Sequence, residues 1–229
     1  MLALIPAKQN STRLKNKNLK LLNGKPLIYY SIKAALKSKY ISRVIVSTDS
    51  KIIAKKSLAF GAEVPFIRPK NISKTDTTIK DVCYHAFKFL EKKEKTKIKE
   101  VIVLQPTSPL RTSEDIDNSI KVFKKKLTTE YFTSFTKTKP YEWLFRKKKN
   151  NVFSQISKKK IKNSQYLNQT YMLTGAIYIM KRALIFGKKL NFQKIEGIEI
   201  PYQRSIDIDD AKEFALAETL IKNNKKIFF

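Results

Sequence analysis

Two carboxylates near the end of the chain and a group of cations near its start are the residues best suited to chemistry. Asp207 and Asp209 lie in the run Ser205-Ile206-Asp207-Ile208-Asp209-Asp210. In an extended segment side chains two apart point the same way, so the two carboxylates share one face while Ile206 and Ile208 turn to the core. Such a pair suits a hard cation, and Mg²⁺ is commonly held by one or two carboxylates together with substrate phosphates. A plainer use is open as well, in which Asp209 or Asp210 caps the last helix, beginning at Ala211. At the other end, Lys8, Arg13, Lys15 and Lys17 fill a polar stretch directly after the apolar run Leu2-Ala3-Leu4-Ile5. A loop of that kind, leaving the carboxyl end of a first strand, is where an open α/β sheet holds a nucleotide phosphate. It contains neither G-x-G-x-x-G nor G-x-x-x-x-G-K-[ST], so it is neither a dinucleotide turn nor a P-loop. One cysteine, Cys83, and one histidine, His85, argue against a disulfide framework, a cysteine zinc site or a histidine dyad.

The elements that must carry these residues alternate. After the first strand, Asn23-Gly24 marks a turn and Lys25-Pro26 opens a helix whose Ile28, Ile32, Ala35 and Leu36 recur at helical spacing. Residues 43–47 read as a buried strand, Thr48-Asp49-Ser50 as the cap of the next helix, and residues 64–67 as a third strand. Ile79, Val82, Cys83, Ala86, Phe87 and Leu90 make a strong amphipathic helix, which places Cys83 in the core and His85 off the stripe, at the surface. Residues 101–104 form another apolar strand that ends in the polar loop Gln105-Pro106-Thr107-Ser108-Pro109 before a helix from Glu114. This order predicts a doubly wound, mostly parallel sheet of Rossmann type, with a ligand across the strand ends where the loops at Lys8, Thr48 and Gln105 converge. The pattern then changes: residues 131–136 and 151–156 look like strands of a hairpin-like insertion, and residues 175–180 return to buried strand character. With no Gly-, Pro- or Ser-rich linker and no repeat, residues 1–229 read as one domain carrying a small β-rich insertion over residues 131–172.

Composition limits the partners. The chain has 229 residues, 42% of them hydrophobic, enough for a core, and no apolar run approaches a membrane span. A soluble cytoplasmic protein with no membrane partner is expected. The net charge of +29 would attract nucleic acid or an anionic surface. Lysines are spread along the whole chain, however, and a nucleoside triphosphate is attracted equally, so nucleic acid is the weaker alternative. The triplets Lys147 to Lys149 and Lys158 to Lys160 fit a solvated face better than a phosphate patch.

Together these pieces resemble the acylneuraminate cytidylyltransferase family, the CMP-sialic acid synthetases and their relatives for bacterial nine-carbon acidic sugars. The resemblance rests on Ile5-Pro6-Ala7 with Ser11 and Lys17-Asn18, on Val46-Ser47-Thr48-Asp49-Ser50, and on Gly61-Ala62-Glu63-Val64-Pro65-Phe66 with Arg68-Pro69. It continues through Leu104-Gln105-Pro106-Thr107-Ser108-Pro109-Leu110-Arg111-Thr112, Gly175-Ala176-Ile177-Tyr178 and Ser205-Ile206-Asp207-Ile208-Asp209. It implies a cytidylyltransferase for surface glycan biosynthesis that joins CTP to the anomeric hydroxyl of a 2-keto acid sugar and releases pyrophosphate. By similarity Lys17 and Ser11 hold the triphosphate, with Ala7, Lys8, Asn10, Thr77 and Thr78 also at the nucleotide and Asn18 and Arg68 at the nucleoside. Gln105, Thr107, Ser108 and Tyr178 meet the sugar, and Asp207 and Asp209 bind Mg²⁺. The family's insertion exchanges between two subunits, so a homodimer is implied. The chain departs from the family's pattern in three places. Lys8 stands where arginine is usual, the loop over residues 71–78 is slightly shorter, and Glu142 and Met172 occupy positions where basic residues commonly meet the sugar carboxylate. A relative acting on an eight-carbon 3-deoxy sugar acid is the nearest alternative among enzymes.

Overall fold

The alternation of side chains along the first strand sets the layers of the molecule. In the computed structural model, which describes residues 1–10, 14–126, 128–187, 189 and 195–223, β1 (Leu2–Pro6) leads into the paired β2 (Leu21–Leu22) and β3 (Lys25–Pro26), then α1 (Leu27–Lys37), β4 (Arg43–Ser47) and α2 (Lys51–Ala59). There follow α3 (Ile79–Glu94), β5 (Glu100–Val103), α4 (Ser113–Lys125), β6 (Tyr131–Thr138), β7 (Phe145–Lys147) and β8 (Phe153–Gln155). The chain closes with β9 (Thr170–Lys181), α5 (Arg182–Ile185), β10 (Glu196–Glu199) and α6 (Ala211–Asn223). The main sheet has the order β10-β6-β9-β5-β1-β4. Pairing is parallel for β4 with β1, β1 with β5 and β10 with β6, and β9 alone runs antiparallel between β5 and β6.

Successive residues of a strand face opposite sides, and both sides here are covered. Ala3 and Ile5 join Ile28, Ile32, Ile116 and Ile120 of α1 and α4 on one face, whereas Leu2 and Leu4 meet Val82, Cys83, Phe87 and Leu90 of α3 on the other. A third apolar cluster docks α6, through Phe214, Ala217 and Ile221, onto Leu22, Leu27, Ile206 and Ile208. That docking carries the segment before α6 to the carboxyl ends of β1 and β5, because Ile208 is fully buried and its N–H donates to the Thr107 carbonyl at 2.7 Å.

Three local expectations are corrected. Lys25-Pro26 stands just outside α1 rather than in its first turn: Pro26 is the N-cap, and the pair closes a tight hairpin with Leu21–Leu22. Asn23 and Gly24 have φ of 45° and 76°, the pair of positive values a two-residue hairpin turn demands. Residues 64–67 make a single isolated bridge, Thr48 to Ile67, with Glu63 just before them bridging to Ile45, because Pro65 between the two has no N–H to donate to a ladder. Residues 131–136 do not pair with 151–156: β6 lies inside the main sheet, and the projecting hairpin joins β7 to β8. The burial of successive residues Phe132, Thr133 and Ser134 explains this, since a strand covered on both faces belongs in the interior of a sheet.

Candidate active site

A cleft of about 350 Å³ opens at the carboxyl ends of β1 and β5. Four segments distant in sequence line it. The loop after β1 supplies Lys8, Lys17 and Asn18, the segment before α3 supplies Arg68, Thr77 and Thr78, the loop after β5 supplies Gln105 and Thr107, and the segment before α6 supplies Asp207 and Asp209. Strand ends at which loops diverge to either side are where open α/β sheets bind ligands.

Lys17 is aimed inward by a turn of 3₁₀-helix over Lys17–Leu19, entered through Asn16 at φ 53°. Its ammonium donates to the Ile208 carbonyl at 2.7 Å and to Asp209 Oδ1 at 2.9 Å, which binds the first loop to the last. Asn18 Nδ2 donates to the Lys8 carbonyl at 2.8 Å and so closes the base of the same loop. Asp49 receives the Gln9 N–H at 2.8 Å on its carboxylate, tying that loop to the end of β4.

Asp207 is held differently. Burial pushes its carboxyl above the usual range, against a hydrogen bond from Thr107 and the charge of Lys17 that favour ionisation, while Asp209 opposes it. Its Oδ1 is buried without a hydrogen-bond partner among the described residues. A buried carboxylate oxygen with a free lone pair, close to a second and more open carboxylate, is what a divalent cation would satisfy. Among the described residues no group of three or more His, Cys, Asp or Glu could hold a metal, so an ion here would need substrate oxygens as well. The N-cap role falls to Asp210, whose carboxylate accepts from the Lys212 and Glu213 N–H groups, while Glu213 returns to the N–H of Asp209 and Asp210. Asp209 is thereby released from capping. Gly175 lies beneath: a Cβ there would stand 2.8 Å from both Asp207 Oδ2 and Gln105 Oε1.

The opposite wall is cationic. Arg68 is buried, donates through Nε to Ser73 Oγ at 3.1 Å, and has its pKa lowered by burial against the pull of Asp49. His85, expected at the surface, is instead half-buried with its ring edge-on to Phe66 at 4.8 Å between centroids. Burial first and Arg68 second lower its pKa, and its Nδ1 has no hydrogen-bond partner among the described residues. The helical stripe missed it because the wall formed by residues 66–68 packs onto the flank of α3, beside the stripe that faces the sheet.

Some expected contacts are not brought to the cleft. Ala7 is fully buried and its N–H is spent on the Ser47 carbonyl at 2.9 Å. Asn10 is exposed, Ser108 is fully buried, and Tyr178 sits on β9 beside Tyr131, its hydroxyl pKa raised by burial first, then by Tyr131 and Asp207. None of these four lines the cleft. Ser11 lies outside the described residues. Thr78 lines the cleft but its hydroxyl also caps α3 in a reciprocal box with Asp81, whereas Thr77 carries no cap. Lys74 and Ser73 line the cleft without having been expected; a polar run of loop length gave no period by which to single them out.

A mostly parallel sheet whose strand ends carry a cationic cleft with paired carboxylates is the frame of a nucleotide-handling enzyme of α/β class. The chain belongs to the cytidylyltransferase family, whose sequence profile matches residues 2–227. It is 34% identical over 99% of its length to the CMP-N,N'-diacetyllegionaminic acid synthase of Legionella pneumophila, 98% of which is covered. It is 30% identical over 99% of its length to the N-acylneuraminate cytidylyltransferase of Escherichia coli O18:K1:H7 and covers 54% of that protein. Among solved structures, the CMP:2-keto-3-deoxy-manno-octonic acid synthetase complexed with CTP superposes with a TM-score of 0.72 at 17% identity, over 97% of this chain and 98% of that one. At that identity the likeness is one of fold.

Proposed function

We propose that this protein transfers a cytidylyl group from CTP to an acidic nine-carbon sugar, giving CMP-sugar and pyrophosphate. The observation that carries the reading is the meeting of Lys17, Asp207, Asp209, Gln105 and Arg68 in one cleft. Lys17, Lys8 and Lys74 are cations for the triphosphate, Arg68 and Asn18 flank the nucleoside, and Gln105 with Thr107 stands on the sugar side. The anomeric hydroxyl of the sugar attacks the α-phosphorus and gives up its proton to solvent or to the leaving group, the bond from that phosphorus to the bridging oxygen breaks, and pyrophosphate departs. Aligning the two oxygens in the cleft and neutralising the phosphoryl charge supplies most of the acceleration, so no covalent nucleophile is required. Asp207 and Asp209 would hold Mg²⁺, which when bound stabilises charge on the phosphates and orients them. A homodimer is part of the same reading, with each subunit's hairpin region closing its partner's sugar pocket.

Within this class a legionaminic-type sugar is the substrate we favour. The similarity to the Legionella synthase extends over nearly the whole of both chains. In addition, Glu142 is buried in the hairpin region and Met172 is exposed on β9, so neither offers a cation to a sugar carboxylate. Loss of one such contact costs about 1 to 3 kcal/mol. The decisive assay is pyrophosphate release with Mg²⁺ across the four nucleoside triphosphates and a panel of sugar acids. CTP alone is expected to serve, and a legionaminic-type sugar to exceed N-acetylneuraminate by about tenfold or more in kcat/KM, an effect of about 1.4 kcal/mol. Indifference to the base would overturn the cytidylyl reading, a preference for an eight-carbon acid the nine-carbon one, and parity with N-acetylneuraminate the legionaminic one.

A further inference from the structure

Arg111 is a charge that the site just described does not use. It lies in the loop between β5 and α4, is 2% exposed, and makes no ion pair among the described residues. Asp115, the carboxylate whose charge acts on it, is itself engaged by Arg204 at 2.9 Å through both oxygens. Burial lowers the Arg111 pKa to about 10, so the side chain remains charged near neutrality. Burying a guanidinium is costly unless its hydrogen bonds are worth more than an apolar replacement. Where those bonds go is therefore informative.

They go to three elements that meet under the cleft. Nη1 donates to the Ala176 carbonyl of β9 at 2.8 Å and to the Gln105 carbonyl at 3.4 Å, and Nη2 donates to Ser31 Oγ of α1 at 2.7 Å. Ser31 Oγ in turn donates to the same Gln105 carbonyl at 3.1 Å. Ala176 is not in a regular ladder. Thr133 of β6 pairs with Tyr178, whereas Phe135 pairs with Leu173, so residues 174–177 stand opposite Ser134 alone. This bulge has its backbone satisfied by side chains: Ile177 N–H by Ser134 Oγ at 3.2 Å, the Ile177 carbonyl by Thr133 Oγ1 at 2.9 Å, and the Ala176 carbonyl by Arg111. It carries Gly175 to the underside of Asp207 and Gln105, where there is no room for a methyl group. Bulges beside active sites re-aim the groups around them.

We infer that Arg111 is a positioning residue for the sugar side of the site: its guanidinium clamps the 174–177 bulge to the Gln105 loop and to α1, and so fixes the seat in which Gln105 and Asp207 meet. The kinetic consequence rests on the proposed meeting of Gln105 with the sugar; the clamp itself does not. Lysine at this position keeps the charge but cannot bridge both carbonyls and the serine hydroxyl, since it lacks the planar fork.

The test uses Arg111→Lys and the milder Ser31→Ala, each in the full chain. Hydrogen exchange is expected to quicken at least tenfold for amides of residues 174–178 in both variants and to stay unchanged for β1. Unchanged exchange at the bulge in both would overturn the clamp, whatever the substrate. In pyrophosphate-release kinetics the KM for the sugar is expected to rise at least tenfold in Arg111→Lys and about threefold in Ser31→Ala, with CTP affinity measured without sugar within twofold of wild type. A purely structural role would lower the active fraction and leave both KM values alone, and that result would overturn the positioning role. A wild-type protein inactive with CTP and every sugar acid would instead refute the proposed function, and the exchange data would still decide the clamp.

Discussion

Lys17 and Asp209 neutralise one another in the cleft, whereas Asp207 carries a buried oxygen with no hydrogen-bond partner among the described residues, and the two carboxylates should therefore respond differently to substitution. A carboxyl whose folded pKa lies above its unfolded value binds its proton more tightly when folded. Its favourable contribution is present at low pH and is lost as pH rises through the folded value, so at neutral pH the ionised Asp207 disfavours the fold. Asp207→Asn is thus expected to raise the melting midpoint of the ligand-free protein at pH 7. That gain should shrink as the pH is lowered through the Asp207 titration, while turnover falls on the order of a hundredfold or more. Thermal melts from pH 3 to 8 beside initial rates check both halves, and a destabilised variant or near-normal turnover at limiting Mg²⁺ would contradict the assignment. Asp209→Asn should lose activity without that stabilisation, because it removes the partner of Lys17 as well. At Lys8, which lines the cleft half-exposed, arginine would present a planar fork to phosphate in place of a point charge. Lys8→Arg is expected to leave kcat within about threefold and to hold or lower the KM for CTP; a tenfold loss would mean that the ammonium is needed as such.

The elements were readable from sequence where a period governed them and obscure where partners outside the element decided. The apolar stripe Val82, Cys83, Ala86, Phe87 and Leu90 of α3 packs as its spacing predicts, and Ser50 caps α2 through the Ile53 N–H at 3.4 Å as the Thr48-Asp49-Ser50 run suggests. Asp207 and Asp209 were visible because period-two alternation with two buried isoleucines marks them out. β6 is legible as a strand but its place in the sheet is not, because its Thr and Ser residues carry no mark of the burial that β9 and β10 impose from either side. Nor could alternation expose the bulge at Gly175, whose cause is a set of side-chain hydrogen bonds from distant segments. That bulge gives a prediction of its own. Gly175 is at a backbone conformation open to any residue, yet its Cβ would meet Asp207 and Gln105 at 2.8 Å. Gly175→Ala should consequently fold with a loss of about 1 to 3 kcal/mol in denaturant titration while kcat/KM falls at least about tenfold, a wrong displacement of reacting groups being costly. Full activity would show that Asp207 and Gln105 can shift aside without consequence.

For the whole molecule, the proposed dimer must reconcile an apolar face with a very high charge. Leu144, Phe145, Val152, Phe153 and Ile156 around the β7–β8 hairpin, with Tyr171, Met172 and Leu173 on the adjoining end of β9, are all exposed in the single chain. Large apolar side chains exposed in such number are the material of an interaction site, and a stable interface needs about 800 Å² from each partner. Two copies of a chain with net charge +29 also repel, and the lysines at 147–149 lie within the same hairpin while those at 158–160 follow it. The apolar contact should therefore tighten as salt screens that repulsion, the opposite of what counterion release gives a nucleic-acid complex. Sedimentation of the protein between 50 mM and 500 mM salt is expected to show a dimer whose dissociation constant falls as salt rises. Phe153→Lys combined with Leu144→Lys, both at exposed sites, should give a folded monomer with an unchanged affinity for CTP and a kcat/KM for the sugar reduced about tenfold or more, because the partner's hairpin no longer closes the pocket. A dimer that survives the double substitution would place the interface elsewhere, and a monomeric wild-type protein with full activity would show that one subunit completes its own sugar site.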